Sequence, residues 1–172
     1  MLSWTKLAGT GFKDKRGISS GPPISKMAFS RGGPTLAAMN IQIAVLCDAA
    51  TDSGGKLNIL GTFDTINAAH MPATHPQCSI ALRMVFSKIE EGPHKVKLNF
   101  VDEDGKLVMP AIDMPVEVAV PEDANFISRN FVVNIQQLKF SQPGLYSIEL
   151  AMDGRHEGSV PLLVRHTKPK SE

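Results

Sequence analysis

From Asn40 to His166 apolar side chains recur at every second position, and this alternation constrains the fold more than any other feature of the sequence. A period of two puts successive side chains on opposite faces of an extended strand. "QCSIALRMVF" is the clearest case, with Cys78, Ile80, Leu82, Met84 and Phe86 on one face and Gln77, Ser79, Ala81 and Arg83 on the other. "NIQIAVLC", "KLNILGTF", "HKVKLNFV", "PVEVAVP", "RNFVVNIQQLKF", "GLYSIELAMDG" and "GSVPLLVRH" read the same way. Turn clusters separate them: "DSGGK", "EEGPH", "DEDGK", "SQPG" and "MDGRHEG". No segment of helical length carries a 3.6-residue apolar period. Short strands with turns between them predict an all-β fold, an antiparallel β-sandwich of about eight strands, immunoglobulin-like or related. The sandwich is expected over residues 39–166, with a disordered tail over 167–172.

Local signals refine this. In "GGKLNILGTF", Gly54-Gly55 reads as a hairpin turn and Gly61 as a bulge or a close backbone approach. A phosphate-binding loop is excluded, because Ala50 stands where its first glycine belongs and Leu57 follows Lys56. "RNFVVNIQQLKF" changes phase between Ile135 and Leu138, which predicts a β-bulge near Gln136 and Gln137. "QPGLY" resembles the corner in which a tyrosine hydroxyl ties a connection back to the backbone. The first strand carries no charge, proline or bulge signal and is apolar on both faces, so it is expected to be central or covered. Pro161 marks the closing strand as a tolerated edge.

Charge divides the chain. Residues 1–38 carry six basic side chains against Asp14, a net +5, and are rich in Ser, Gly and Pro. They read as a disordered basic extension or as sequence upstream of a true start at Met39, with a targeting peptide as the third reading. The remainder holds 12 basic and 16 acidic residues, a net −4, which is poorly suited to a polyanion and argues against a nucleic-acid partner. No apolar run reaches membrane-helix length, so no membrane association is expected. Two cysteines, both in apolar strands, suit a reduced, cytoplasmic protein.

Candidate chemistry is sparse. His70, His75 and Cys78 offer zinc-type ligands at a non-standard spacing. "DEDG" at 102–105 lacks the context of a calcium loop and reads as a turn tip. Glu90-Glu91 and Glu122-Asp123 are neighbours in turns, not a converging acid–base pair. Asp48 beside Cys47 would raise the thiol pKa, the wrong direction for a nucleophile. Lys95 and Lys97 with Arg83 could form a small basic stripe, read here as a solvated face. Asp48 and Asp64 each end or interrupt an apolar strand, as turn caps or as an acidic contact at one end of the sandwich.

"VLCDAATDSGGKLNILGTFDTI" followed by "PATHPQCSIALRMVF" resembles a family of small bacterial proteins of unknown function. The family pattern is a strand ending in Asp, a turn, "GKL-x-x-LG-x-F-D" and then "P-x-x-HP". Asp48, Gly55, Lys56, Leu57, Leu60, Gly61, Phe63, Asp64, Pro72, His75 and Pro76 match it. The resemblance covers roughly residues 40–165. It implies a free-standing, cytoplasmic bacterial protein starting near Met39, and supplies no reaction or cofactor. The expectation is therefore a non-catalytic binding or assembly module with a protein partner or self-association as a homo-oligomer, without catalytic residues, cofactor or metal. The alternative is a small-molecule or metal-binding sandwich using Asp48, Asp64, His70 and His75; an enzyme ranks third.

Overall fold

The computed structural model describes residues 39–167. The basic extension over residues 1–38 and most of the C-terminal tail lie outside them. Nine strands follow in order: β1 (Asn40–Ser53), β2 (Lys56–Phe63), β3 (Thr65–Ala68), β4 (Ala73–Ser87), β5 (Gly92–Asp102), β6 (Ile112–Val118), β7 (Phe126–Phe140), β8 (Gly144–Met152) and β9 (Arg155–His166). One turn of 3₁₀ helix, Lys88–Glu90, interrupts them. Two sheets form, ordered β2-β1-β4-β7 and β3-β9-β8-β5-β6. The chain is an all-β sandwich. Its strand beyond the expected eight is β3, whose four residues are too few to show a period. β3 pairs with β9 in parallel, the exception in an otherwise antiparallel fold.

The core lies between the sheets. Leu46, Cys78, Ile80 and Leu82 from one sheet meet Leu98, Ile148, Leu150 and Leu162 from the other. Phe100, Phe140 and Tyr146 pack together near one end, Phe140 meeting Tyr146 edge-on at 5.0 Å between centroids. The expected tyrosine corner is present, since the Tyr146 hydroxyl donates to the Gln142 carbonyl at 2.7 Å. Tyr146→Phe keeps the ring and deletes this bond. It is expected to cost about 1 kcal/mol in chemical denaturation.

β1 is interior in its sheet, between β2 and β4, as its unprotected sequence requires. A register shift between Ile41 and Ile43 changes which face meets the core. Beyond it Leu46 points inward, while Val45 and Cys47 turn to the outer face. The phase change in β7 has a different origin from the bulge expected. β4 and β7 keep one register through Gln77–Gln136 and His75–Leu138, so no residue is inserted. Both strands change phase opposite each other, where Pro76 has no amide to donate and Gln137 takes φ 54°. The closing strand is also only partly an edge. β3 covers Leu163–His166 and leaves Arg155 to Leu162 open on that side.

The β1–β2 hairpin does something that alternation cannot reveal: it folds back over the outer face of its own sheet. Ile43 pairs with Arg83. The chain from Ile43 to Gly55 laid straight would end roughly 40 Å away. Instead the Gly55 carbonyl accepts from Arg83 Nη1 at 3.2 Å and from Asn130 Nδ2 at 3.0 Å. Asp52 Oδ2 accepts from Asn130 Nδ2 at 3.1 Å, and Gln42 Oε1 accepts from Arg83 Nε at 3.2 Å, completing a polar clasp. The folded hairpin explains why Cys47, Ser79 and Ala81, all on the outer face, are 0% exposed. Ala50, Leu57 and Ile59 are the half-buried residues of the arm. The Gly54-Gly55 turn is the tight one expected, with φ 59° and 75° and Ser53 paired to Lys56.

Candidate functional site

The bend that turns the hairpin back is built by Asp48 and Gly61, opposite each other on β1 and β2. Gly61 takes φ 65°, a left-handed conformation that favours glycine. Its missing side chain also makes room, because a Cβ there would lie 2.2 Å from Asp48 Oδ2. The close approach expected at Gly61 is therefore a carboxylate seated on bare backbone. Among the described residues no hydrogen-bond donor meets that carboxylate.

Beside the bend an open cleft of about 430 Å³ takes in Asp48, Gly61, Thr62, Phe63, Thr65, Ile66, Asn67 and His75. β4 delivers His75 to it, and the His75 ring lies against Phe63 with 5.5 Å between centroids. His75 Nε2 is buried without a hydrogen-bond partner among the described residues. A carboxylate, an imidazole, an amide and two hydroxyls thus line the cleft beside Phe63 and Ile66.

Of the four residues singled out from sequence, Asp48 and His75 share this cleft; Asp64 and His70 do not. Asp64 accepts from the Thr65 hydroxyl at 2.9 Å and its carbonyl from the Leu163 amide at 2.8 Å, and it lines a neighbouring cleft with Val160 and Pro161. His70 is exposed in the turn before β4. The zinc-type set is not gathered. Cys78 is wholly buried in the core, where burial and then Cys47 push its thiol up to about 11. Burial, and then the Asp48 carboxylate, likewise raises Cys47. Among the described residues no three His, Cys, Asp or Glu side chains converge. Thr62, Thr65 and Asn67 escaped the sequence reading because short polar residues at the end of β2 and in the four-residue β3 carry no periodic signal.

The other candidate groups have structural duties. Asp102 Oδ1 accepts from the Asp104 and Lys106 amides at 3.1 and 2.9 Å, closing the "DEDG" turn. Glu91 Oε1 accepts from the Val120 amide at 2.9 Å. The basic stripe does not form, because Arg83 lies in one sheet and Lys95 and Lys97 in the other. Lys95 pairs instead with Asp113 at 2.8 Å.

At the opposite end of β4, His94 links two turns. Its Nδ1 lies 2.7 Å from Asp153 Oδ2 and its Nε2 2.8 Å from the Glu90 carbonyl. Both partners accept, so the imidazolium is the state that satisfies them. The Asp153 hydrogen bond, followed by the Glu90 carbonyl, raises the His94 pKa above 6.5. The same bond lowers Asp153. Burial pushes Glu90 up, but the Met39 and Ser87 amides and the Ser87 hydroxyl outweigh it, and its pKa falls below 4.5. The His94 contribution is complete below its ordinary 6.5 and is lost as pH rises through the raised value. The carboxylate contributions are present above the ordinary values and are lost as pH falls through the lowered ones. Stability is therefore expected to be greatest between 4.5 and 6.5. His94→Gln should flatten the alkaline limb in urea midpoints measured from about pH 5 to about pH 8.

The fold defines the class: a two-sheet β-sandwich whose first hairpin is folded over one sheet. Residues 42–165 match a family of unknown function, DUF6941, and the chain belongs to that family. No curated protein matches the chain. Among solved structures, an immunoglobulin-like protein from Pseudomonas aeruginosa is 10% identical, over 76% of this chain and 99% of that one, with a TM-score of 0.35. A glycosyl hydrolase family 2 member from Bacteroides cellulosilyticus is 14% identical over 52% of this chain, with a TM-score of 0.33; the match spans 13% of the hydrolase. Among the described residues no helix is long and apolar enough to cross a membrane.

Proposed function

We propose that the protein is a non-catalytic binding module of the cytoplasm and that the cleft at the bend holds a small polar ligand. The Asp48 carboxylate carries this reading. It is fixed against Gly61 by the bend and has no internal donor among the described residues, so its acceptor oxygens are available to a ligand. His75 and Asn67 supply further polar contacts, and Phe63 and Ile66 an apolar wall. A ligand bearing ammonium, amide or hydroxyl donors suits this lining.

The test is a thermal-shift screen of the full chain with small amines, amides and polyols, beside elemental analysis of the purified protein. A donor-bearing compound is expected to raise the melting temperature of the wild type and not of Asp48→Asn, whose own melting should be nearly unchanged. A response retained in Asp48→Asn would place the ligand elsewhere. A stoichiometric bound metal would favour the metal-binding alternative, with Asp48 and His75 as its first ligands.

A further inference from the structure

We infer that two copies of the chain join along β7, turning two four-stranded sheets into one continuous sheet. The argument compares the edges. β6 carries Asp113, Pro115 and Glu117 on seven residues. β9, where open, carries Pro161. β3 is four residues long. β2 is broken by the left-handed Gly61. Each of these is a recognised way of blunting an edge. β7 runs for 15 residues with β4 on one side and, among the described residues, no strand on the other. From Phe126 to Gln136 it has one charge, Arg129, and no proline. A long, little-charged edge is a template for another strand.

The sequence of the edge suits its own copy. An antiparallel pairing with its twofold axis at Val132 sets Phe131 of each copy against Val133 of the other, and Asn130 against Asn134. Arg129 then faces Ile135, so no like charges meet. Phe131, Val132 and Val133 are all only half-buried, on both faces of the sheet. A second β7 would cover them on both faces at once, as a small ligand could not. An aligned stretch from Ser128 to Gln136 is roughly 30 Å long.

Val132 sits on the proposed axis, which makes the test direct. Native mass spectrometry and sedimentation of the full chain should give twice the chain mass. Val132→Lys places two ammonium groups opposite each other and should give a folded monomer whose melting no longer depends on protein concentration. Mixing Val132→Lys with Val132→Glu should restore a dimer containing one of each, which a folding defect could not produce. In the wild type, amide exchange within Ser128–Gln136 should quicken on dilution, a readout that needs no variant. A wild-type monomer, or a Val132→Lys protein that stays dimeric with exchange in β7 independent of concentration, overturns the proposal. It stands apart from the ligand cleft: an empty cleft in a β7 dimer, or a filled one in a monomer, separates the two.

Discussion

Gly61→Val is expected to lower stability by about 3 kcal/mol, because a β-branched residue is forced to a positive φ. The new side chain also meets Asp48, whose Oδ2 and Cγ would lie 2.2 and 2.8 Å from its Cβ. Asp48 can swing away, since its carboxylate is the free end of a side chain, but then the acid leaves the cleft. The two contributions separate in a double-mutant cycle. In an Asp48→Ala background the carboxylate clash is gone, while the contact with the Cβ of residue 48 at 3.3 Å and the backbone strain remain, so the cost of Gly61→Val should fall to about 2 kcal/mol. Urea unfolding of the four proteins measures this. An equal cost in both backgrounds would mean that Asp48 is not seated on Gly61.

Strand identity was legible because alternation records which face is buried. From Cys78 to Phe86 every second side chain, Cys78, Ile80, Leu82, Met84 and Phe86, is buried in the core as its spacing requires. What alternation cannot record is a second burial surface. In β2, Leu57, Ile59 and Phe63 share one spacing, which places them on a single face of a straight strand. The bend at Gly61 divides them: Phe63 packs against the core, whereas Leu57 and Ile59 belong to the folded arm. The same bend explains why β1 is apolar on both sides. Leu46 faces the opposite sheet, and Cys47 lies under the arm. The glycine was visible in the sequence, but its partner across the strands was not, since that depends on register. Pro76 and Gln137 make the same point. A phase change in β7 looked like an insertion, and the compensating change stood on β4, more than fifty positions earlier in the chain.

The candidate site was half legible for a related reason. Asp48 and Asp64 stood out because each ends or interrupts an apolar strand, and His70 and His75 because imidazoles so close in sequence are metal-type ligands; both signals survive without knowledge of the fold. Neither signal separates the member of each pair that reaches the cleft from the one that does not. Nothing local distinguishes a carboxylate that turns into a cleft from one held by its neighbour's hydroxyl, as Asp64 is by Thr65. Convergence is a property of topology: β1, β2 and β4 meet at this end because β1 pairs with β2 on one side and with β4 on the other.

Ala81→Asp should separate the two burial layers. Ala81 and Leu82 are adjacent and both 0% exposed, yet one lies beneath the folded hairpin and the other between the sheets. Burying an unpaired carboxylate costs several kcal/mol wherever no partner can reach it. Beneath the hairpin the chain has a cheaper response, which is to lift the arm and let water reach the charge. That sacrifices the Arg83 and Asn130 bonds to Gly55 and the packing of Leu57 and Ile59, a loss of about 3 kcal/mol. Ala81→Asp is therefore expected to remain folded, destabilised by about that amount, and to become sensitive to trypsin at Lys56. Leu82→Asp has no such response. Its charge faces Leu98 and Ile148 across the core, and relief requires parting the sheets, so the chain should not fold at all. Far-UV circular dichroism and limited proteolysis distinguish the outcomes. Equal damage from both substitutions would show that the hairpin and the sandwich unfold as a single unit.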